Sequence, residues 1–214
     1  MDPVSFVQHI IDPEKLIHTG GLILILTVIF IENGIFFGFF LPGDTLLFSA
    51  GLLCSTGKFN VSIFTLLLTI SLAAILGNFF GYFFGKKVGE NFLNRKESIL
   101  FKRKYIYTAE IFFSKYGGMA LVMGRFLPII RTFAPIFAGM IKFDFKKFLL
   151  FNISGGILWV FSMLLAGYFL GMLFPSLKDK LEYIIIIIVI ITWIPVLITY
   201  FKEKAKNKSL KDIS

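Results

Sequence analysis

The sequence predicts an all-α polytopic membrane protein with two inverted repeats, each a re-entrant helical hairpin followed by a transmembrane helix. An extra C-terminal transmembrane helix and amphipathic interfacial helices complete the predicted architecture. Three observations predict it: an apolar composition, two apolar stretches broken by proline and charge, and two motifs that recur at one spacing. Of 214 residues, 57% are hydrophobic and 16% are charged, whereas a soluble domain carries about 25% charged residues.

The composition and the charge distribution exclude several other classes of protein. One cysteine allows no intrachain disulfide, and two histidines near the N-terminus offer no zinc site, so no metal or organic cofactor is predicted. The first residues lack the basic segment of a cleavable signal peptide, and we expect them to be retained. The net charge of +9 is concentrated between apolar runs, which is typical of cytoplasmic loops rather than of nucleic-acid binding.

Three uncharged runs are long enough to cross a bilayer, whose hydrocarbon core of roughly 30 Å takes about 20 helical residues. They cover residues 59–85, 148–177 and 183–201, which are 27, 30 and 19 residues long. Four other apolar pieces are too short to span and are predicted to form the half-helices of two re-entrant hairpins. They are residues 33–43, 45–57, 116–124 and 132–141.

Basic clusters set the predicted orientation of these segments. Residues 86–115 carry eight Lys and Arg against three Glu, and the tail 202–214 carries five Lys against two acidic residues. Because positive loops stay in the cytoplasm, we expect this loop, the 142–147 cluster and the C-terminus there, and the N-terminus outside. The first hairpin, about 20–57, then enters from outside and the second, 116–141, from the cytoplasm, so that their tips meet near the midplane.

Two short motifs recur with the same offset of 86 residues. The sequence GFFLP at 38–42 returns as GRFLP at 124–128, and GYFFG at 81–85 returns as GYFLG at 167–171. Each unit crosses the membrane an odd number of times, so the second copy is predicted to be inverted relative to the first.

The remaining segments flank the two repeats. Residues 4–18 and 97–115 mix apolar and charged side chains in the manner of interfacial helices, and Asp12 can cap a helix that begins at Pro13. The predicted segments of this single membrane domain, 1–214, are an N-terminal amphipathic segment (1–19), repeat 1 (20–85), a basic cytoplasmic loop with an amphipathic helix (86–115), repeat 2 (116–177), a C-terminal transmembrane helix (183–201) and a basic tail (202–214).

The break in the second hairpin carries two arginines. The sequence GRFLPIIRT places Arg125 and Arg131 on either side of Pro128, and Pro135 follows. The N-termini of half-helices that face the midplane attract anions, and arginine adds a permanent charge with a donor fork suited to phosphate oxygens. We therefore predict a phosphate site at Arg125, Arg131 and Thr132. Pro128 and Pro135 are the predicted breaks of this hairpin.

The break in the first hairpin carries two acidic residues instead. Glu32 precedes the break at Pro42 and Gly43, and Asp44 with Thr45 suits the N-cap of the next half-helix. Burial favours a protonated carboxyl group and a nearby arginine favours the ionised one, so we predict that Glu32 and Asp44 couple protons to anion movement. The alternative interpretation is that the acids and arginines form static buried ion pairs that hold the hairpins together.

Other conspicuous residues of the long spans are predicted to support the structure. We expect Asn78 and Asn152 to form interhelical hydrogen bonds rather than to bind a ligand. Trp159 and Trp193 are interpreted as packing or interface anchors. A packing face of small residues is expected at Gly77, Gly81 and Gly85.

At these residues the chain resembles the DedA family, the bacterial branch of the VTT (SNARE-associated Golgi) membrane proteins, from about residue 20 to 171. The matching motifs include LPGD at 41–44, GNFFGYFFGK at 77–86, KYGG at 115–118 and GRFLPIIRT at 124–132. The resemblance implies a lipid transporter that moves undecaprenyl phosphate or phospholipid and depends on the proton-motive force. It also implies that Glu32, Asp44, Arg125 and Arg131 are functionally required.

The prediction is therefore a flippase of the bacterial cytoplasmic membrane, not an enzyme, that moves a phosphate-bearing lipid such as undecaprenyl (polyprenyl) phosphate. Two facing hairpins would gate alternating access, with a proton gradient as the energy source and no cofactor. The nearest alternative is a proton-coupled antiporter of small solutes or cations. Two further alternatives are a membrane enzyme that acts on lipid phosphate and a structural scaffold.

Overall fold

The computed structural model describes residues 13–36, 38, 41–92 and 103–174. Within these ranges it contains seven α-helices and no strand, which confirms the all-helical prediction there. The helices are α1 (Pro13–Gly34), α2 (Gly43–Ser55), α3 (Ile63–Phe92), α4 (Arg103–Tyr116), α5 (Met119–Gly124), α6 (Pro128–Met140) and α7 (Phe145–Leu173). The transmembrane helix predicted at 183–201, the basic tail and the first twelve residues lie outside the described residues.

Among the described helices, α3 and α7 are long and apolar enough to cross a membrane, judged by length and composition. They correspond to the predicted runs 59–85 and 148–177, although α3 continues past Lys86 and Lys87 and α7 ends at Leu173. Both helices keep large apolar side chains on the outside of the fold, which water would solvate poorly and lipid would solvate well. Examples are Phe64, Leu68, Leu72, Leu150, Leu158 and Phe161.

The first hairpin is formed by α1 and α2. α1 is kinked at Gly21, whose φ of 54° is unfavourable for other residues, and the apolar helix beyond it covers Gly20–Gly34. The half-helix predicted at 33–43 is wrong, because α1 ends at Gly34 and the described residues between Gly34 and Gly43 are not in an α-helix. Gly38 lies so close to the backbone of Ile31 and Glu32 that a Cβ would collide with both. The half-helix predicted at 45–57 corresponds to α2.

The second hairpin is formed by α5 and α6. Arg125 follows the short helix α5, Leu127 is extended (φ −118°, ψ 110°) and α6 begins at Pro128, a favourable position for proline. The prediction that Pro135 breaks the hairpin is wrong, because α6 continues through it to Met140. The helix tolerates this proline because its backbone beside Ile136 is packed directly against α3, and tertiary contact outweighs the lost hydrogen bond.

The helices fall into two groups according to the extent of their contacts. α2 packs along α7, and α5 also packs against α7; α6 packs along α3, and α1 also packs against α3. We call the set α2, α5 and α7 group A, and the set α1, α3 and α6 group B. In both groups a helix of one hairpin lies against the long helix from the other half of the sequence.

Glycines bring the helix backbones of group A into direct contact. A Cβ added to Gly51 would collide with the carbonyl oxygen of Leu164, and one added to Gly167 would collide with the carbonyl oxygen of Phe48. These contacts join α2 to α7 without intervening side chains. A larger side chain at Gly51 or Gly167 would therefore collide with the backbone of the opposite helix.

Group B is joined in the same way. A Cβ added to Gly77 would lie 2.7 Å from the carbonyl oxygen of Phe30 on α1, and one added to Gly85 would collide with the carbonyl oxygen of Ile136 on α6. The expected small-residue packing at Gly77 and Gly85 is confirmed. One face of α3 therefore contacts two different helices through its glycines.

We expect Gly167→Ala to lower the free energy of unfolding by about 1–3 kcal/mol. The added methyl group overlaps the carbonyl oxygen of Phe48, although alanine has the higher helix propensity. Thermal unfolding in detergent micelles measures the change. Ala166→Val is the control, because the neighbouring Ala166 is exposed and should accept a larger side chain. An equal loss in both variants would contradict the packing argument.

Candidate functional site

Arg131 is the centre of a buried charge cluster at the meeting point of α1, α2, α6 and α7. Its Nη1 donates to Asp44 Oδ1 at 2.7 Å, and its Nη2 donates to Glu32 Oε1. Nη2 also lies 3.5 Å from Asp44 Oδ2. The side chains of Arg131 and Glu32 are 1% exposed and that of Asp44 is 13% exposed. One guanidinium group therefore binds a carboxylate from each helix of the first hairpin.

Trp159 completes this cluster, which is a role beyond the packing or interface anchor predicted from the sequence. Its Nε1 donates to Asp44 Oδ1 at 2.9 Å. Its ring faces Arg131, whose Cζ lies 4.5 Å from the ring centroid, inside the cation–π range of about 6 Å. A signal for this role was available, because a tryptophan within an uncharged span needs an acceptor for its indole N–H when it is buried.

Thr132 and Gly43 hold Glu32 in place. The Thr132 hydroxyl, predicted to bind phosphate, donates to the backbone oxygen of Glu32 at 3.0 Å. Gly43 lies against the Glu32 carboxylate, where a Cβ would overlap Oε2. Gly43 therefore provides the space that the carboxylate occupies, in addition to its place at the hairpin break.

The predicted N-cap at Asp44 and Thr45 is wrong. α2 begins at Gly43, with Pro42 in the cap position and no side-chain cap. Asp44 lies in the first turn and binds Arg131 instead, because two opposite full charges attract each other more strongly in a low-dielectric interior than a carboxylate attracts a neutral N–H. The Thr45 hydroxyl donates back to the carbonyl oxygen of Pro42 at 2.8 Å.

Arg125 occupies a second buried site and is 1% exposed. Its Nη2 donates to the backbone oxygen of Asn152 at 3.0 Å and also to the side-chain oxygen of Asn152. Its Nε and Nη1 have no hydrogen-bond partner within the described ranges, nor does a carboxylate there form an ion pair with it. A buried charge with unused donors is costly unless an anion binds it.

Two glycines of α7 make room for Arg125. A Cβ on Gly155 would lie 3.3 Å from its Nε, and a Cβ on Gly156 would lie 3.3 Å from its Nη1. The two donors without partners therefore lie beside backbone that carries no side chain. Larger residues at these positions would narrow the space around the guanidinium group.

Two asparagines connect the long helices next to Arg125. Asn78 Nδ2 on α3 donates to Asn152 Oδ1 on α7 at 2.9 Å, and Asn152 Nδ2 donates to the carbonyl oxygen of Ile75 at 3.2 Å. When the Asn78 amide is turned over, its nitrogen donates to the carbonyl oxygen of Asn33 at 3.0 Å and its oxygen accepts from Arg125. Both orientations make Asn78 part of the Arg125 site.

The charges are divided evenly between the two helix groups. Group A carries Asp44 and Arg125, and group B carries Glu32 and Arg131. The bond between Arg131 and Glu32 lies within group B, whereas the bond between Arg131 and Asp44 joins the groups. Two separate ion pairs, one for each arginine, are not found among the described residues, since both acids bind Arg131.

Comparison with known proteins identifies a family and several relatives of this chain. A family model described as the VTT domain matches residues 41–169. The chain is 33% identical to the protein named DedA from Escherichia coli (strain K12) over 205 residues, or 94% of this chain and 93% of that protein. An uncharacterized membrane protein from Mycobacterium leprae is 37% identical over 198 residues, covering 92% and 86% of the two chains. The inner membrane protein YqjA from Escherichia coli (strain K12) is 36% identical over 165 residues, covering 76% and 74%.

No solved structure matches the chain significantly. An all-helical fold with two long apolar helices and buried charges at helix breaks is typical of a helical membrane protein. The chain belongs to the DedA family of VTT-domain proteins, and the resemblance seen in the sequence is confirmed. The VTT match includes Asp44, Arg125, Arg131 and Trp159, while Glu32 lies ahead of it.

We expect Gly43→Ala to lower the free energy of unfolding by about 1–3 kcal/mol, because the methyl group displaces the Glu32 carboxylate from Arg131. Combining it with Glu32→Asp, which shortens the side chain by one methylene, should recover part of the loss. Thermal unfolding of the two single variants and the double variant measures this coupling. Gly81→Ala is the control, since its Cβ would lie 3.5 Å from the nearest atom. Strictly additive losses at positions 43 and 32 would refute the contact.

Proposed function

We propose that this protein is an integral protein of the bacterial cytoplasmic membrane that moves a phosphate-bearing lipid from one leaflet to the other. Polyprenyl phosphate is the proposed lipid, and no cofactor or covalent step is required. The observation that carries the proposal is the buried Arg125 with two unpartnered donors, beside a second arginine that joins the two helix groups. The name of the relative YqjA, an inner membrane protein, supports the location.

In this proposal Arg125 is the first phosphate ligand. Arg131 is already neutralised by two carboxylates, whereas Arg125 has a charge and two N–H groups to offer an anion. Phosphate oxygens match the spacing of the guanidinium donors. Arg131 becomes a second ligand when it releases Asp44. Thr132 supports this site indirectly, through its bond to the backbone of Glu32.

The movement proposed is a rocking of group A against group B. The pairing of α2 with α7 and of α6 with α3 supports two inverted repeats with re-entrant hairpins. The polar contacts that cross between the groups include the bond from Arg131 to Asp44, the bond from Asn78 to Asn152 and the bond from Asn152 to the carbonyl oxygen of Ile75. Breaking and re-forming these contacts would open the Arg125 site to one leaflet at a time.

Asp44 is the proposed proton carrier. When the groups separate, Glu32 stays with Arg131 inside group B, while Asp44 in group A loses its cation. A carboxylate left without a cation in apolar surroundings binds a proton rather than remaining charged. Proton binding at Asp44 would thus accompany each opening, and a proton gradient would give the cycle a direction. Glu32 keeps Arg131 charged and in place.

A proton-coupled antiporter of small solutes or cations is the alternative. Both carboxylates are bound by Arg131, so a cation would have to compete with a guanidinium group for them. That arrangement favours an anionic substrate. Competition between phosphate lipid and soluble cations in one proteoliposome assay separates the two functions.

We expect Arg125→Gln to abolish movement of polyprenyl phosphate in proteoliposomes while the melting temperature stays equal or rises. The substitution removes a buried charge that no described carboxylate balances but keeps an amide donor for Asn152. Lipid accessible at the outer leaflet is measured with time, with Tyr107→Phe, at an exposed position, as the control. Normal transport by Arg125→Gln, or by Arg131→Ala, would overturn the phosphate proposal.

Arg131→Met alone should lower the free energy of unfolding by about 3–5 kcal/mol, because two buried carboxylates lose their cation. The triple variant Glu32→Gln, Asp44→Asn, Arg131→Met should recover most of this stability and still not transport lipid. Thermal unfolding tests the expected recovery of stability, and the lipid assay on the same preparations tests the expected loss of transport. A stable triple variant that transports at the normal rate would show that the cluster is only structural.

A further inference from the structure

We propose that Trp159 is a positioning residue that keeps the Asp44 carboxylate aimed at Arg131 throughout the transport cycle. The contact between the two helix groups would then re-form in one geometry after each lipid is released. This inference rests on the proposed function, because it concerns how the same site closes again. It adds to the site a residue that carries no charge.

Trp159 and Asp44 lie in the same helix group, and Arg131 lies in the other. Asp44 on α2 and Trp159 on α7 both belong to group A, whose helices are joined through Gly51 and Gly167 without intervening side chains. Arg131 on α6 belongs to group B. When the groups separate, the bond from Trp159 to Asp44 is therefore kept, while both contacts of Arg131 with group A are lost.

One oxygen of Asp44 serves both partners. Asp44 Oδ1 accepts from Arg131 Nη1 at 2.7 Å and from Trp159 Nε1 at 2.9 Å. After Arg131 leaves, the indole N–H still holds Oδ1, so the carboxylate cannot rotate freely. A proton that binds Asp44 would then go to Oδ2, because Oδ1 remains the acceptor of the indole. Arg131 on its return finds Oδ1 in the same position.

The Trp159 ring also contacts Arg131 directly, with the guanidinium carbon 4.5 Å from its centroid. Departure of a cation from the face of an indole changes the electrostatic field on the ring, and therefore its fluorescence. The chain contains two tryptophans, Trp159 and Trp193. The variant Trp193→Phe thus leaves Trp159 as a single reporter of the separation of the two groups.

Transport kinetics test the positioning role. Trp159→Phe keeps an aromatic face for Arg131 but loses the N–H, and we expect its maximal rate of polyprenyl phosphate movement to fall about tenfold. The apparent KM for lipid should stay within about twofold, because the Arg125 site is unchanged. Phe161→Leu, at an exposed position on the same helix, is the control and should keep the normal rate. A Trp159→Phe protein with the normal rate, or one whose loss is explained by a smaller folded fraction, overturns the inference.

Fluorescence provides the second test, which does not depend on how well Trp159→Phe folds. In the Trp193→Phe protein, vesicles containing polyprenyl phosphate should shift the Trp159 emission, and Arg131→Met in the same background should produce a shift without lipid. Unchanged Trp159 emission while lipid is being moved overturns the inference and leaves the proposed function standing. If the unmodified protein moves no phosphate lipid, the proposed function fails instead.

Discussion

The neutralisation of one buried guanidinium group is the interaction on which the rest of this structure depends. Arg131 is 2% exposed, and a charge at that depth is tolerated only with close partners. Its partners come from three different helices: Glu32 from α1, Asp44 from α2 and Trp159 from α7. The position of α6 relative to all three is therefore set by the charge.

The four charges of the site are distributed evenly between the two helix groups. Each helix group carries one acid and one arginine, so separating the groups moves no net charge apart. Of the two arginines of the site, Arg131 binds both carboxylates and Arg125 binds neither. The glycines bring helix backbones together within each group, whereas a shared apolar core of side chains from α1, α2, α3 and α7 lies between the groups, beside the polar contacts.

The presence of the site could be predicted from the sequence, because charge and proline within apolar stretches are rare and costly. The positions of α2, α3, α6 and α7 also correspond to the predicted apolar runs, although α3 continues to Phe92, past the charged residues that end its run, and α6 begins earlier than predicted, at Pro128. The predictions that are wrong fail because of contacts between residues that are far apart in the sequence. Pro135 remains inside a helix because α3 supports the backbone next to it, and α1 ends at Gly34, where Gly38 packs against the backbone of its last turn. Trp159 was assigned to packing because its acceptor lies on another helix.

The amino-acid sequence alone was enough to predict the class of the protein, the two apolar spans found among the described residues, the two hairpin breaks and the kinds of charge at each break. Each of these features follows from the free-energy cost of placing a charged or helix-breaking residue in an apolar segment. That cost depends on neighbouring residues and can be judged from composition and spacing. The folded arrangement, not the linear order, makes both acids bind Arg131 and leaves two Arg125 donors without a partner in the described part of the chain. The partners of Arg131 lie 99 and 87 positions away in the chain, and a hydrogen bond depends on distances of a few tenths of an ångström between atoms that the linear order does not bring together.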